Sequence, residues 1–125
     1  MLSSLKIALL AAEAADSKKS FDIVVLDLRG LTSIADYFVI CSAGSTTQVD
    51  AIADGIEHAL AQEGRRPSHI EGKPTSTWVL MDYGDVVVHI FDEPVRTYFS
   101  LDRLWGDAPI IPLRLQPPAL KGSKP

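Results

Sequence analysis

The pattern of apolar and polar positions predicts three helices and four strands. Apolar side chains recur at helical spacing over residues 3–16, and again after a cap at Ser45 in a helix that ends at Gly64. A third helix is expected to begin near Pro94, which suits a first helical turn. Four apolar runs are expected to be strands, at residues 21–28, 37–42, 78–81 and 86–91, and the first of them is rich in β-branched residues.

The order of these elements is helix, strand, strand, helix, strand, strand, helix. It predicts an α/β fold in which a mixed β-sheet is flanked by helices, in a single domain over residues 1–113. The polar stretch 65–76 is expected to be a surface loop. Residues 114–125 form a proline-rich tail that we expect to be disordered.

Residues 78–91 form the hairpin around which the predicted fold is organised. A tight turn over residues 82–85 joins its strands, and Gly84 supplies the permissive backbone. Both strands are apolar at nearly every position, which indicates central strands covered on both faces. A buried hairpin does not need polar or oversized side chains in order to fold. The first candidates for function are therefore the residues of that kind: Trp78, Asp82, Tyr83, Asp85 and His89.

The charge of the chain disfavours some partners. The 125 residues include 12 Lys and Arg against 16 Asp and Glu, which gives a formal charge of −4, and no basic run occurs. Binding to DNA or RNA phosphates depends on clustered Lys and Arg. Direct nucleic-acid binding is therefore disfavoured, and a basic protein partner is easier to accept.

Cysteine content and hydropathy indicate the compartment. Cys41 is the sole cysteine, so no intrachain disulfide is predicted and a reducing compartment is favoured. No apolar run approaches the roughly 20 residues that span a bilayer. Lys6 and Glu13 interrupt the segment that superficially resembles a signal peptide, so we expect a cytoplasmic protein with no membrane association.

Gly44 and Ser45 have two interpretations. A strand that ends at a helix start can hold a phosphate on free backbone amides, as in nucleotidyltransferases, which also need carboxylates on an adjacent strand to hold Mg²⁺. The acidic residues weighed for that role lie on a helix or flank a turn: Asp50, Asp54, Asp82 and Asp85. The other interpretation is a capped helix, in which Ser45 accepts from the Gln48 amide and the Gln48 side chain reaches back to Ser45. No metal, cofactor or catalytic residue is predicted.

His89 and Cys41 can each be structural. His89 shares a strand face with Val87 and Phe91, so a hydrogen-bonded structural histidine and a functional one both stay open. Cys41 lies in an apolar strand and is most simply a small core side chain rather than a reactive thiol.

Trp78 is either a core residue or part of a docking patch. It begins a strand beside a polar loop, where one face is expected to be partly open. Strand alternation places Leu80 and Asp82 on the same face. Protein interfaces concentrate their binding energy in such aromatic residues.

Six stretches of the chain form a longer pattern: residues 22–29, 36–42, 48–54, 71–72, 78–91 and 96–105. In this order they resemble the ribosomal silencing factor family, also called the Iojap or RsfS family. The resemblance runs from about Asp22 to Leu113. Ala43 departs from the pattern, because a glycine is common there, and the tail is not part of it.

The resemblance implies a nucleotidyltransferase-like fold without catalytic carboxylates, and a protein that is not an enzyme. It implies a translation repressor that binds the large ribosomal subunit through its fourteenth protein, sterically blocks joining of the small subunit, and forms a homodimer. Partner binding is then assigned to Asp36 and to the hairpin positions Trp78, Leu80, Asp82, Tyr83 and His89. Two alternatives stay open, a nucleotide-binding or nucleotidyltransferase enzyme and a homodimeric scaffold for another partner.

Overall fold

The computed structural model describes residues 2–73, 76–99, 106–113 and 115. Within them, the elements are α1 (Ser4–Ser17), β1 (Phe21–Asp27), β2 (Tyr37–Ala43), α2 (Thr46–Ala61), β3 (His69–Glu71), β4 (Trp78–Asp82), β5 (Val86–Asp92) and α3 (Glu93–Phe99). The α/β class and the order of the predicted elements are confirmed. Predicted positions of the third helix beyond residue 99, and the tail apart from Leu115, lie outside the described residues.

The five strands form one mixed sheet in the order β1-β2-β5-β4-β3. The central pair, β2 and β5, is parallel and in register from Tyr37 opposite Val86 to Ala43 opposite Asp92. The other three pairs are antiparallel. The prediction of a loop over residues 65–76 is wrong at β3, which pairs with β4 through Ile70 and Met81. A three-residue strand with a single apolar side chain carries almost no periodic signal.

Apolar side chains pack on both faces of the sheet. The α1/α2 face carries the larger cluster, in which Ile7 and Ile56 are fully buried from the two helices. On the opposite face, here called the α3 face, Val95 packs against a second cluster, which includes Phe38 and Phe91. Strand β2 is therefore buried along its whole length, as expected for a central strand.

Strand β4 does not follow the prediction that the hairpin is covered on both faces. Val79 and Met81 point to the α1/α2 face and are buried. Trp78, Leu80 and Asp82 point to the other face and are half-buried. The apolar run cannot reveal this difference, because Trp78 and Leu80 are apolar whether or not they are covered.

Polar contacts at both ends hold α1 and α2 antiparallel. At one end, Gln48 near the start of α2 donates to the carbonyl oxygens of Lys18 and Lys19, which follow α1. At the other end, Asp85 accepts hydrogen bonds from Ser4, in the first turn of α1, and from Arg65, just after α2. The two helices thus cross the sheet as one layer that is fixed at its four ends.

Candidate docking surface

Trp78, Leu80 and Asp82 form a row along β4 on the α3 face of the sheet, and their side chains are half-buried. At about 3.3 Å per strand residue, the row extends roughly 13 Å. The predicted grouping of these three residues on one face is confirmed. The row offers an aromatic, an aliphatic and an acidic side chain in a line.

The Trp78 indole is held in place by other aromatic side chains on the α3 face. Its Nε1–H donates to Nδ1 of His89 at 3.2 Å. The indole ring also packs on Phe91 with a centroid separation of 4.9 Å. His89 in turn makes an edge contact with Phe38 at 4.6 Å. This aromatic cluster, Phe38, Trp78, His89 and Phe91, fixes the orientation of the indole, so one part of Trp78 packs in the core while another part reaches the surface.

His89 is a buried residue that supports the Trp78 end of the row. It is 5% exposed, and burial lowers the pKa of its imidazole to about 4, so the ring is neutral near pH 7. Because Nδ1 accepts the hydrogen bond from the Trp78 N–H, the hydrogen of the neutral His89 ring lies on Nε2. The Nε2–H group has no acceptor among the described residues. The structure thus assigns His89 the hydrogen-bonded role, with its one donor unsatisfied.

Tyr83 lies away from the row. Its side chain is 7% exposed and packs in the cluster on the α1/α2 face. Burial raises the pKa of the phenol to about 12, and the hydroxyl has no partner among the described residues. The backbone of Tyr83 closes the β4–β5 turn by donating to the Val86 carbonyl at 2.9 Å. The structure therefore does not bring the Tyr83 side chain together with Trp78.

Asp36 lies at the far end of the sheet from Trp78. Its amide donates to the Asp85 carbonyl at 2.8 Å, and its half-buried carboxylate lies 3.3 Å from the Ser4 hydroxyl. The carboxylate of Asp85 accepts from the same hydroxyl at 2.6 Å and pairs with Arg65 at 2.6 Å. Asp36 thus belongs to a polar group at the start of α1, where the helix dipole favours negative charge.

The positions of Trp78 and its strand also depend on Gly72, which sequence reasoning noted only within a motif. Gly72 has φ +101°, and a Cβ at this position would overlap the Trp78 carbonyl oxygen. Ser76 accepts from the Trp78 amide and donates to the same carbonyl. No periodic pattern signals such a contact, because it arises between a loop and the first residue of a strand.

The Gly44–Ser45 junction is a capped helix. Ser45 accepts from the Gln48 amide at 3.1 Å, which confirms the predicted cap. The return contact differs from the prediction, because Gln48 Oε1 accepts from the Gly44 amide, at 2.6 Å, and not from Ser45. The Gly44 N–H, which a bound phosphate would need as a donor, is therefore already hydrogen-bonded to Gln48.

The carboxylates and histidines of the described residues do not form a metal site. No group of three or more His, Cys, Asp or Glu side chains is placed to hold a metal ion within that part of the chain. Asp82 caps its own turn by accepting from the Gly84 amide, and Asp54 pairs with Lys73. Cys41 is fully buried, and burial raises the pKa of its thiol to about 11, as expected for a core side chain. Among the described helices, none has the length and hydropathy of a membrane span.

Comparison with known proteins identifies the family. The family model described as "Ribosomal silencing factor during starvation" matches residues 2–124, which extends beyond the stretch on which the sequence resemblance was based. The ribosomal silencing factor of Bacillus subtilis is 45% identical over 104 residues, covering 83% of this chain and 88% of that protein. The chloroplastic protein Iojap of Arabidopsis thaliana is 36% identical over 105 residues, covering 84% of this chain and 44% of the relative.

A crystal structure of a protein from Chromobacterium violaceum has the same fold. It superimposes with a TM-score of 0.81 at 34% identity, covering 94% of this chain and 91% of that one. The Bacillus subtilis relative is named as a silencing factor rather than as an enzyme, which fits a protein without catalysis. The chain belongs to the ribosomal silencing factor family, as the sequence predicted, and this membership supports a role in translation regulation on the ribosome.

Proposed function

We propose that this chain represses translation by binding the large ribosomal subunit through its fourteenth protein, where its bulk blocks joining of the small subunit. Family membership supports the ribosomal setting. Occlusion of a surface needs no catalysis and only an interface of roughly 800 Å² per partner. In this proposal the chain acts in the cytoplasm as a homodimer.

The observation that carries the proposal is the half-buried Trp78 indole, held on the sheet face by His89 and Phe91. An anchor whose orientation is already fixed loses little conformational entropy on binding. Its N–H is already satisfied within the chain, so docking against an apolar pocket would leave no donor unpaired. Trp78 is therefore the residue that we expect to dominate the affinity, with Leu80 beside it.

The remaining predicted residues contribute in other ways. Asp82 at the end of the row is half-buried and can face a basic protein, and Asp36, at the same end of the sheet beside the start of α1, adds negative charge there. His89 positions the indole. Tyr83 supports the turn that follows the row. These roles are part of the proposal.

Co-sedimentation with isolated large subunits tests the function. The parent chain is expected to travel with large subunits and to reduce the amount of joined ribosomes when small subunits are added. Trp78→Ala is expected to weaken binding by roughly 30-fold, the effect of losing an anchor of about 2 kcal/mol. His58→Ala is the matched control, because His58 is an exposed residue of α2 on the other face of the sheet.

The outcomes separate the function from the site. Failure of the folded parent chain to sediment with large subunits at moderate salt would reject the function. Normal binding by a folded Trp78→Ala variant would reject the docking row and leave the function standing. Binding to large subunits that lack the fourteenth protein would reject that partner alone.

A further inference from the structure

Residues 108–111, here called the edge segment, cover the outer side of β1. The Asp27 amide donates to the Pro109 carbonyl at 2.9 Å, and the Ile111 amide donates to the Val25 carbonyl at 2.9 Å. Between these two bonds, Ile110 lies opposite Leu26 in an antiparallel bridge. The segment therefore occupies the position of a sixth strand without continuing as one among the described residues.

The side chains of the edge segment reach both faces of the sheet, because they alternate along its extended backbone. Ala108 is buried in the cluster on the α3 face. Ile111 packs against the cluster on the α1/α2 face, while Ile110 between them is 67% exposed. Two side chains and two backbone hydrogen bonds thus fasten the segment to the edge.

Proline reduces the number of backbone hydrogen-bond donors on the outer side of the edge segment. Since the bonds to β1 come from Pro109 and Ile111, the amide and carbonyl of Ile110 point away from β1. Pro112 has no N–H, so the outer side of residues 109–112 presents a single backbone donor. Proline on an edge is one of the devices by which native sheets resist the addition of another strand.

Strand β1 has a register shift between Phe21 and Val24 but no proline, so its edge at residues 24–27 depends on the segment for cover. Without the edge segment, the Asp27 amide and the Val25 carbonyl would be free beside the apolar side chains of Val24 and Leu26. An unpaired apolar edge is a template for another strand, and two copies of β1 can pair antiparallel across a twofold axis. We propose that the edge segment is a built-in cover that prevents β1 from adding a strand from a second copy of this chain.

This proposal does not rest on the ribosomal function, and full-length variants test it. Ile111→Pro removes the N–H that Val25 accepts. Ile110→Ser is the matched control, because it changes the exposed neighbour whose backbone groups point away from β1. Two quantities are measured: the hydrogen exchange of the Asp27 amide, and the mass in solution by light scattering over a range of concentrations.

For Ile111→Pro, we expect Asp27 to exchange at least tenfold faster than in the parent, and the mass to rise with concentration above that of the parent. Ile110→Ser should match the parent in both measurements. An unchanged Asp27 exchange rate would show that these bonds do not hold the cover. Fast exchange with an unchanged mass would show that an open β1 edge does not pair. Either result overturns the proposal.

If Ile111→Pro fails to fold, Ile111→Ser takes its place. This variant keeps the N–H that bonds to Val25 but loses the apolar side chain that packs on the α1/α2 face. The attachment of the edge segment to β1 is therefore weakened less than in Ile111→Pro. We expect a smaller change in the same direction, at least threefold in Asp27 exchange with a measurable increase in mass. Parent-like behaviour of this variant would count against the cover in the same way.

Discussion

The Trp78 indole N–H donates a hydrogen bond to His89 Nδ1, at 3.2 Å, and only a neutral imidazole can accept this bond. The residue proposed to contact the ribosome is thus oriented by a buried base whose charge state is set by its surroundings. The same bond links the docking surface to the stability of the sheet, because His89 lies in the central strand β5.

Acid should destabilise the chain first through His89. Burial lowers the pKa of the His89 imidazole from an ordinary 6.5 to about 4. Between pH 6.5 and pH 4, His89 is therefore protonated in the unfolded chain and neutral in the folded chain. Stability is therefore complete above pH 6.5 and falls as the pH drops towards 4, by up to roughly 3 kcal/mol. Urea unfolding at several pH values should show this loss in the parent and not in His89→Gln. Parallel pH profiles for the two proteins would contradict it.

Asp85 should act in a lower pH range. Burial alone would raise its pKa, but hydrogen bonds from Arg65 and Ser4 and the Arg65 charge outweigh it, and the pKa is lowered from 3.8. Its contribution is present above pH 3.8 and is lost as the pH falls through the lower folded value. With a carboxylate 29% exposed, we expect Asp85→Asn to cost only about 1 kcal/mol at pH 7. The difference from the parent, measured by urea unfolding, should shrink as the pH falls below 3.8; a difference that stays constant there would exclude this linkage.

Gly72→Ala and Gly84→Ala should have different consequences. Both glycines have positive φ, at +101° and +88°, so both alanines carry backbone strain of roughly 1 kcal/mol. Only at Gly72 would the new Cβ overlap a neighbour, the Trp78 carbonyl. We expect Gly72→Ala to lose more stability on thermal unfolding and to weaken binding to large subunits, whereas Gly84→Ala binds normally. Equal binding by both variants would show that Gly72 does not position Trp78.

The ends of α1 and α2 allow a reciprocal exchange. Lys19 and Gly64 occupy the same left-handed position after their helices, with φ 66° and 77°, and the same pair of amide-to-carbonyl bonds closes each end. A glycine suits this conformation and a lysine does not. Lys19→Gly should therefore raise the free energy of unfolding by roughly 0.5–1 kcal/mol, and Gly64→Lys should lower it by a similar amount. Changes of the same sign in both variants would refute the comparison.

The sequence predicts those parts of the fold in which periodicity is strong. The helices of α1 and α2, the central strands and the Ser45 cap follow from apolar spacing and cap chemistry, and long motifs identify the family. Strand β3 was missed because its pairing with β4, rather than its own residues, makes it a strand. The Gln48 contact with Gly44 was also missed, since only the folded loop decides which amide the side chain reaches.

The candidate site was predicted in part. Alternation placed Trp78, Leu80 and Asp82 together, but it could not show that Tyr83 packs under α2 while His89 packs under the indole. Those positions depend on the burial of each face, and burial depends on helices that are distant in sequence. The hydrogen bond between Trp78 and His89 arises from the β4–β5 register, in which Leu80 lies opposite His89.

The parallel pairing of β2 with β5 has a consequence for how the chain acquires its structure during synthesis. Residues 37–43 find their central partner only at residues 86–92. Helices α1 and α2 therefore emerge well before the strand that completes the surface beneath them. Contacts so far apart along a chain form slowly, and the apolar side of β2 stays open to chaperones or to aggregation until then. A nascent chain halted before residue 86 should remain protease-sensitive.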